Sequence, residues 1–170
     1  MDALEALNTR RSIRAFTPRP VSLDIVRELI RAAMHAPSAG NEQPWHFLIL
    51  TDREILDRIP DFHPYAGMLS ESPVAVVVCG DPRQEKHPGM WVQDCAAATQ
   101  NLLLAAHAKG LGAVWVGVHP REDRIEPLRR LLTSLPEVII PFAIIPIGHP
   151  AETPDAEDRY RPELIHLNKW

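Results

Sequence analysis

The apolar positions along this chain fall into blocks of two different periods. Residues 2–8 carry a short helical pattern, and a stronger one runs from Ser22 to about Ala36. In the second block Ile25, Leu29, Ile30 and Ala33 repeat at helical spacing, Ser22 stands where an N-cap belongs, and Val21 and Val26 flank it in staple positions. Pro37 ends the helix, because the residue before a proline is pushed out of the helical region. The loop APSAGNEQP follows, then HFLIL (46–50) as a strand and DREILDRI (52–59) as a short helix. VAVVVCG (74–80) is apolar throughout and rich in β-branched residues, which predicts a strand covered on both faces. From Trp91 to Lys109 runs a second long helix, closed by Gly110 in the C′ position. Its stretch DCAAATQNLLLAAHA is apolar nearly all round, as in a core helix or one lying in a large subunit interface. AVWVGV (113–118) reads as a third strand, REDRIEPLRRLLTSL as an exposed helix, and VIIPFAIIPIG (138–148) as a fourth strand whose prolines predict irregularity.

Helices and strands therefore alternate, which predicts a layered α/β or α+β domain. No internal repeat or domain boundary interrupts the 170 residues, so a single domain is expected. Beyond Gly148 the pattern changes. A polar segment, HPAETPDAEDRYRP, leads to a tail with apolar Leu164, Ile165, Leu167 and Trp170. Such a tail needs a surface to pack on, and a second subunit is one candidate.

Composition narrows the functional classes. Hydrophobic residues make up 45% and charged residues 24%, the profile of a soluble globular protein, and the mean hydropathy of -0.14 agrees. No run approaches the roughly 18 apolar residues that cross a membrane, and the acidic start MDALEALNTRR is not the pattern of a secretory signal. Two cysteines, Cys79 and Cys95, make no disulfide framework, so a reducing cytoplasm is the expected compartment. The seventeen prolines stand singly and punctuate loops. A net charge of -4 argues against a general nucleic-acid binder, which needs a broad basic face. Yet RRSIRAF (10–16) sets Arg10, Arg11 and Arg14 within five positions. A local arginine cluster in an acidic protein points to a small anion.

Several chemistries drop out by motif. Eight histidines invite a metal, but there is no HExxH and no CxxC, and neither cysteine has a histidine at ligand spacing. GLGAVWVG has Trp115 where a dinucleotide fingerprint needs its third glycine, and it precedes a strand instead of following one. Neither a GxxxxGK[ST] loop nor a GxSxG elbow is present. A nucleotide-like phosphate would have to be held by arginines.

Three segments then carry the candidate chemistry. In an extended RRSIR, Arg10, Ser12 and Arg14 fall on one side, two guanidinium forks and a hydroxyl suited to a phosphate and its polyol chain. From charge alone, a solvated basic loop or an intersubunit ion-pair site is the simpler reading. In PSAGNEQPWHF (37–47), Ser38, Asn41 and Gln43 offer hydroxyl and amide groups that match the edge of a heterocycle, or simply stabilise a turn. Between Gly112 and Gly117, small residues let backbone approach a ring closely, or form a core strand with Trp115 buried.

RRSIRxF, PSAGNxQPWHF about 25 residues later, the alanine-rich helix, GLGAVWVG, and an ending of PIGHPAE, DRY and IHLNKW together resemble the nitroreductase family of flavoproteins, in its short members. The resemblance runs through essentially the whole chain. It implies an α+β fold with a central mixed or antiparallel sheet flanked by helices, in an intertwined homodimer binding two FMN molecules at the subunit interface. It implies that Arg10, Arg11, Ser12 and Arg14 contact the phosphate and ribityl chain, Arg11 or Arg14 also reaching the pyrimidine end. Pro37, Ser38, Ala39, Asn41 and Gln43 would approach from the other subunit. Trp115, Val116 and Gly117 would pass the ring, Arg159 would complete the phosphate site, and the tail from about 151 to 170 would wrap onto the partner. One departure is visible: where many members carry a lysine or asparagine against the pyrimidine side, this chain reads HPYAGMLSES, with no basic residue.

The implied activity is an FMN-dependent NAD(P)H oxidoreductase. Hydride passes from NADH or NADPH to flavin N5, then by a ping-pong route to a small organic acceptor such as a nitroaromatic or quinone. The protein supplies position and charge, with no catalytic side chain of its own. Arg83 and Lys86 share a loop that is the candidate contact for a 2′-phosphate. The alternatives are an FMN-binding or sensory protein without turnover, and a specialised flavoenzyme of the same fold such as a dehalogenase, for whose extra lid 170 residues leave little room.

Overall fold

Five strands form one sheet in the computed structural model of this chain, which describes residues 1–155 and 157–170; Ala156, in the polar segment, lies outside the described residues. The strands are β1 (Trp45–Leu50), β2 (Val74–Gly80), β3 (Gly112–Ala113), β4 (Val116–Gly117) and β5 (Ile140–Gly148). Their order is β1-β2-β5-β3, with β4 also on β5, and every pairing is antiparallel. The helices are α1 (Ala3–Thr9), α2 (Leu23–Met34), α3 (Arg53–Arg58), α4 (Trp91–Ala108) and α5 (Glu122–Leu131).

The continuous apolar run of β2 is explained by its two covered faces. Val74, Val76 and Val78 enter one core with α2 and α4, while Ala75, Val77 and Cys79 enter a second with α3 and α5. Each fully buried valine contributes about 1.5–3 kcal/mol of apolar transfer, so the strand anchors the domain. On α2 the expected cap is present, the Ser22 hydroxyl accepting from the Ile25 N–H at 3.3 Å. Its buried side is Val26, Leu29, Ile30 and Ala33, four of the positions that the helical repeat picks out or flanks.

The prolines of β5 act as predicted. At Pro141 the β2 register slips by one residue, leaving Phe142 as a bulge. At Pro146 the effect is larger. β3 and β4 keep one common register along β5, but the ladder lapses between them at Val114 and Trp115. Val114 stands opposite Pro146, which has no N–H to give. The third strand expected over 113–118 is therefore two short pieces around a gap. Trp115, the candidate core residue of that strand, is 37% exposed, its ring edge-on to Phe142 at 5.4 Å.

The tail from 151 onward is exposed on the single chain throughout its described residues, including Leu164, Ile165, Leu167 and Trp170. Among the described residues no helix is long and apolar enough to cross a membrane.

Candidate functional site

The segment RRSIRAF is docked through its apolar residues. The Ile13 N–H donates to the Ala113 carbonyl at 3.1 Å, and Thr17 N–H to that of His149 at 2.9 Å. Ile13 lies directly on Gly112, where a β-carbon would stand 2.6 Å from Ile13 Cγ2. Phe16 sits in the same way on Gly148. The space above Gly112, read from sequence as room for a ring, is thus filled by the chain itself. Gly117 differs: a β-carbon there would meet nothing within 4 Å.

Around the pinned Ile13, the arginines line two clefts. Arg10 and Arg11 line a cleft with Leu7, Asn8 and Arg159, of about 570 Å³. Arg14 lines another, of about 500 Å³, with Trp115, Val116 and Gly117. Ser12, half-buried, falls between the residues that line them.

The first cleft sets three guanidiniums beside two acidic residues, Glu157 and Asp158. Arg10 has its pKa depressed by partial burial, then by the neighbouring charges of Arg159 and Arg11. Arg11 is held by carbonyls, donating to Asn8 and Arg10 at 3.0 and 2.9 Å and to Asp155 and Glu157 at 3.3 and 3.0 Å. Arg159 pairs with the Glu157 carboxylate at 2.9 Å, both groups being exposed. A phosphate would meet three guanidiniums here, two of them without a carboxylate partner among the described residues.

The second cleft is walled by residues that the sequence did not single out as contacts. His63 is buried, its Nε2 hydrogen-bonded to the Gly117 carbonyl at 2.9 Å and its Nδ1 accepting from the Tyr65 N–H at 3.3 Å. This fixes the neutral Nε2–H tautomer, and burial lowers the His63 pKa, with the Arg124 charge acting the same way. The Gly117 carbonyl accepts a second bond from Arg124 Nη1 at 2.8 Å. Arg124 also places its guanidinium carbon 5.5 Å from the Tyr65 ring centre. HPYAGMLSES does lack a cation, but the cleft does not: α5 provides one.

The remaining candidates lie elsewhere on the chain. Pro37, Ser38, Ala39, Asn41 and Gln43 line neither cleft. Their loop is firmly set: Ala39 N–H donates to the Asp94 carboxylate at 2.9 Å, Gln43 N–H to the Ser38 hydroxyl at 3.0 Å, and the Gln43 amide to Asn41 at 3.1 Å. Asn41 and Gln43 hold φ of 56° and 51°, a left-handed geometry that costs energy for a residue such as glutamine. Arg83 is engaged by Asp81 at 2.9 and 2.8 Å, a fork that holds the Asp81 carboxyl well below the usual carboxylate range. It is not a free cation for a 2′-phosphate. Cys79 and Cys95 are unpaired, buried and pushed up to about 12, so neither is a thiolate nucleophile at neutral pH. No cluster able to hold a metal occurs among the described residues.

The sequence profile of the nitroreductase family matches residues 7–63 and 62–149. The chain belongs to that family. Among nitroreductase-family proteins, one from Methanothermobacter thermautotrophicus, provisionally named NADH dehydrogenase/NAD(P)H nitroreductase, is 54% identical over all of this chain and 88% of its own length. The crystal structure of a protein with the same provisional name from Parabacteroides distasonis superposes with a TM-score of 0.94 at 45% identity, covering 98% of each chain. A provisionally assigned nitroreductase from Desulfovibrio desulfuricans, solved in complex with FMN, superposes with a TM-score of 0.86 at 32% identity, over 100% of this chain and 99% of that one. The nitroreductase fold is thus established across the sheet and its flanking helices.

Proposed function

We propose that this chain is an FMN-dependent NAD(P)H oxidoreductase, working as a cytoplasmic homodimer and reducing a small organic acceptor such as a nitroaromatic or quinone by a ping-pong route. The observation that carries this reading is a pair of unlike clefts lined from the two ends of RRSIR. One crowds Arg10, Arg11 and Arg159; the other opens on Gly117 and the exposed Trp115 at the interrupted sheet edge. That is the charge distribution of a phosphate joined to a flat ring. The similarity to an FMN-bound structure and to relatives named for NAD(P)H chemistry supports it.

Arg10 and Arg11, with Arg159 once Glu157 yields it, would hold the phosphate, and Ser12 the chain between phosphate and ring. Arg14 and the Trp115–Gly117 backbone would face the ring. The Ser38–Gln43 loop lies away from both clefts, so its role requires a second copy, and the exposed apolar tail offers the surface that would join the two. FMN, when bound, supplies reversible hydride acceptance and donation. The chain's part is to position it, to place cations at its edge and to leave one face open. Neither buried thiol competes for that role.

The test is direct. The purified protein should show flavin absorbance or gain it on adding FMN, should lose the colour anaerobically with NADH or NADPH, and should regain it with an acceptor. A chain that takes up no FMN overturns the proposal; one that binds FMN but is bleached by neither nucleotide is a binding or sensory protein.

A further inference from the structure

Arg124 makes no direct ion pair among the described residues, although the Asp123 carboxylate feels its charge. Arg124 is half-buried, and its Nε is buried without a hydrogen-bond partner. Its neighbour Asp123 is taken by Arg121 at 3.0 Å. His63 is neutral and shares with Arg124 the same acceptor, the Gly117 carbonyl. Withdrawing a guanidinium from water without a partner costs stability, and this one is also held rigidly, by the carbonyl on one side and the Tyr65 ring on another. A half-buried cation fixed at a cleft wall is a preformed electrostatic site. Arg14 faces the same cleft, and its side chain has no protein partner among the described residues. Two guanidiniums therefore converge on whatever lies over Trp115–Gly117.

We propose that Arg124 binds the oxygen-bearing edge of the flavin ring and favours the reduced, anionic cofactor over the oxidised one. This rests on the FMN reading above. A cation at that edge gains more from the reduced ring, which carries net negative charge, than from the neutral oxidised ring. Arg124 is thus a cofactor-binding residue on α5, a helix that sequence reading treats as solvent-exposed.

The experiment compares Arg124→Gln, which keeps a donor for the Gly117 carbonyl but removes the charge, with Arg124→Lys, which keeps the charge. Fluorescence titration reads the affinity for oxidised FMN, and equilibration with a reference dye reads the midpoint potential. Arg124→Gln should lower the preference for reduced over oxidised FMN at least tenfold, a potential about 30 mV more negative for a two-electron couple. Arg124→Lys should stay within threefold of the parent. A parent potential in Arg124→Gln, with FMN bound, overturns this inference and leaves the FMN reading intact; a wild-type chain that binds no FMN overturns both. If Arg124→Gln does not fold, the wild-type protein decides: the N3 proton of bound oxidised FMN should titrate below that of free FMN, and a raised value refutes the cationic edge.

Discussion

Gly112 is where fold and site meet, so a methyl group there should be felt in both. In Gly112→Ala the new β-carbon would stand 2.6 Å from Ile13 Cγ2 and 2.8 Å from Ile13 Cβ. The second contact is decisive, since a β-carbon moves only with its backbone, and the backbone here is the segment that carries Arg10, Arg11 and Arg14. Overpacking of this kind costs about 1–3 kcal/mol, while replacing a glycine returns about 0.5–1 kcal/mol of unfolded-state entropy. The net loss should be about 0.5–2 kcal/mol in urea unfolding followed by circular dichroism. FMN affinity should fall further than stability, because shifting the arginines weakens charged hydrogen bonds worth about 1.5–3 kcal/mol each. Losing one raises the FMN Kd by roughly 10- to 150-fold. Gly117→Ala is the control for stability: its β-carbon meets nothing within 4 Å, so the fold should be unharmed while the cleft loses room. Ile13→Ala combined with Gly112→Ala should cost somewhat less than the sum of the two single changes, since the γ-carbon contacts are gone while the contact to the residue-13 Cβ stays. A Gly112→Ala protein with parental stability and parental FMN Kd would refute the claim that this contact places the arginines.

Arg14→Ala should weaken FMN binding by about 1.5–3 kcal/mol, read by fluorescence quenching, since its guanidinium makes no bond within the described chain and is free for the ligand; unchanged affinity would remove Arg14 from the site. Glu157→Gln frees Arg159 from an exposed ion pair and should tighten FMN by up to about 1 kcal/mol at low salt; weaker binding would show that the carboxylate helps to hold the ligand. His63 should make stability pH-dependent. Its folded pKa lies below the ordinary 6.5, so the unfolded chain binds a proton that the folded chain refuses, and stability present above 6.5 is lost as pH falls toward the folded value. Urea midpoints at about pH 7.5 and about pH 5.5 should show that fall, and His63→Gln should lessen it; an equal slope in the variant would exclude His63 as its source.

What could be read from sequence depended on whether one residue or several decided the outcome. β2 was legible because both of its faces are covered, which writes burial into every position. α2 was legible because Ser22 caps it and its apolar stripe keeps one period. The RRSIR cluster was legible as a concentration of charge, but the anchoring of its segment was not: Ile13 is seated on Gly112, a contact across 99 residues that no local pattern carries. Arg124 escaped for a related reason. It sits in a charged stretch whose nearest members, Arg121, Glu122 and Asp123, are exposed, and only the position of Gly117 against α5 separates it from them.

The same reasoning explains why the candidate site lies where the sheet is weakest. A complete ladder from Gly112 to Gly117 would bond Val114 to β5 and tie the Trp115 segment down along it. Pro146 prevents this by offering Val114 no donor, at the cost of ladder hydrogen bonds worth about 1 kcal/mol each, and β5 tolerates the loss because β2 pairs along its other side. The strand piece beyond the gap is then held from outside, by His63 and Arg124 converging on the Gly117 carbonyl. An edge left open by a proline and held by two side chains keeps its shape without a neighbouring strand, which a surface needs if a flat ring is to lie against it.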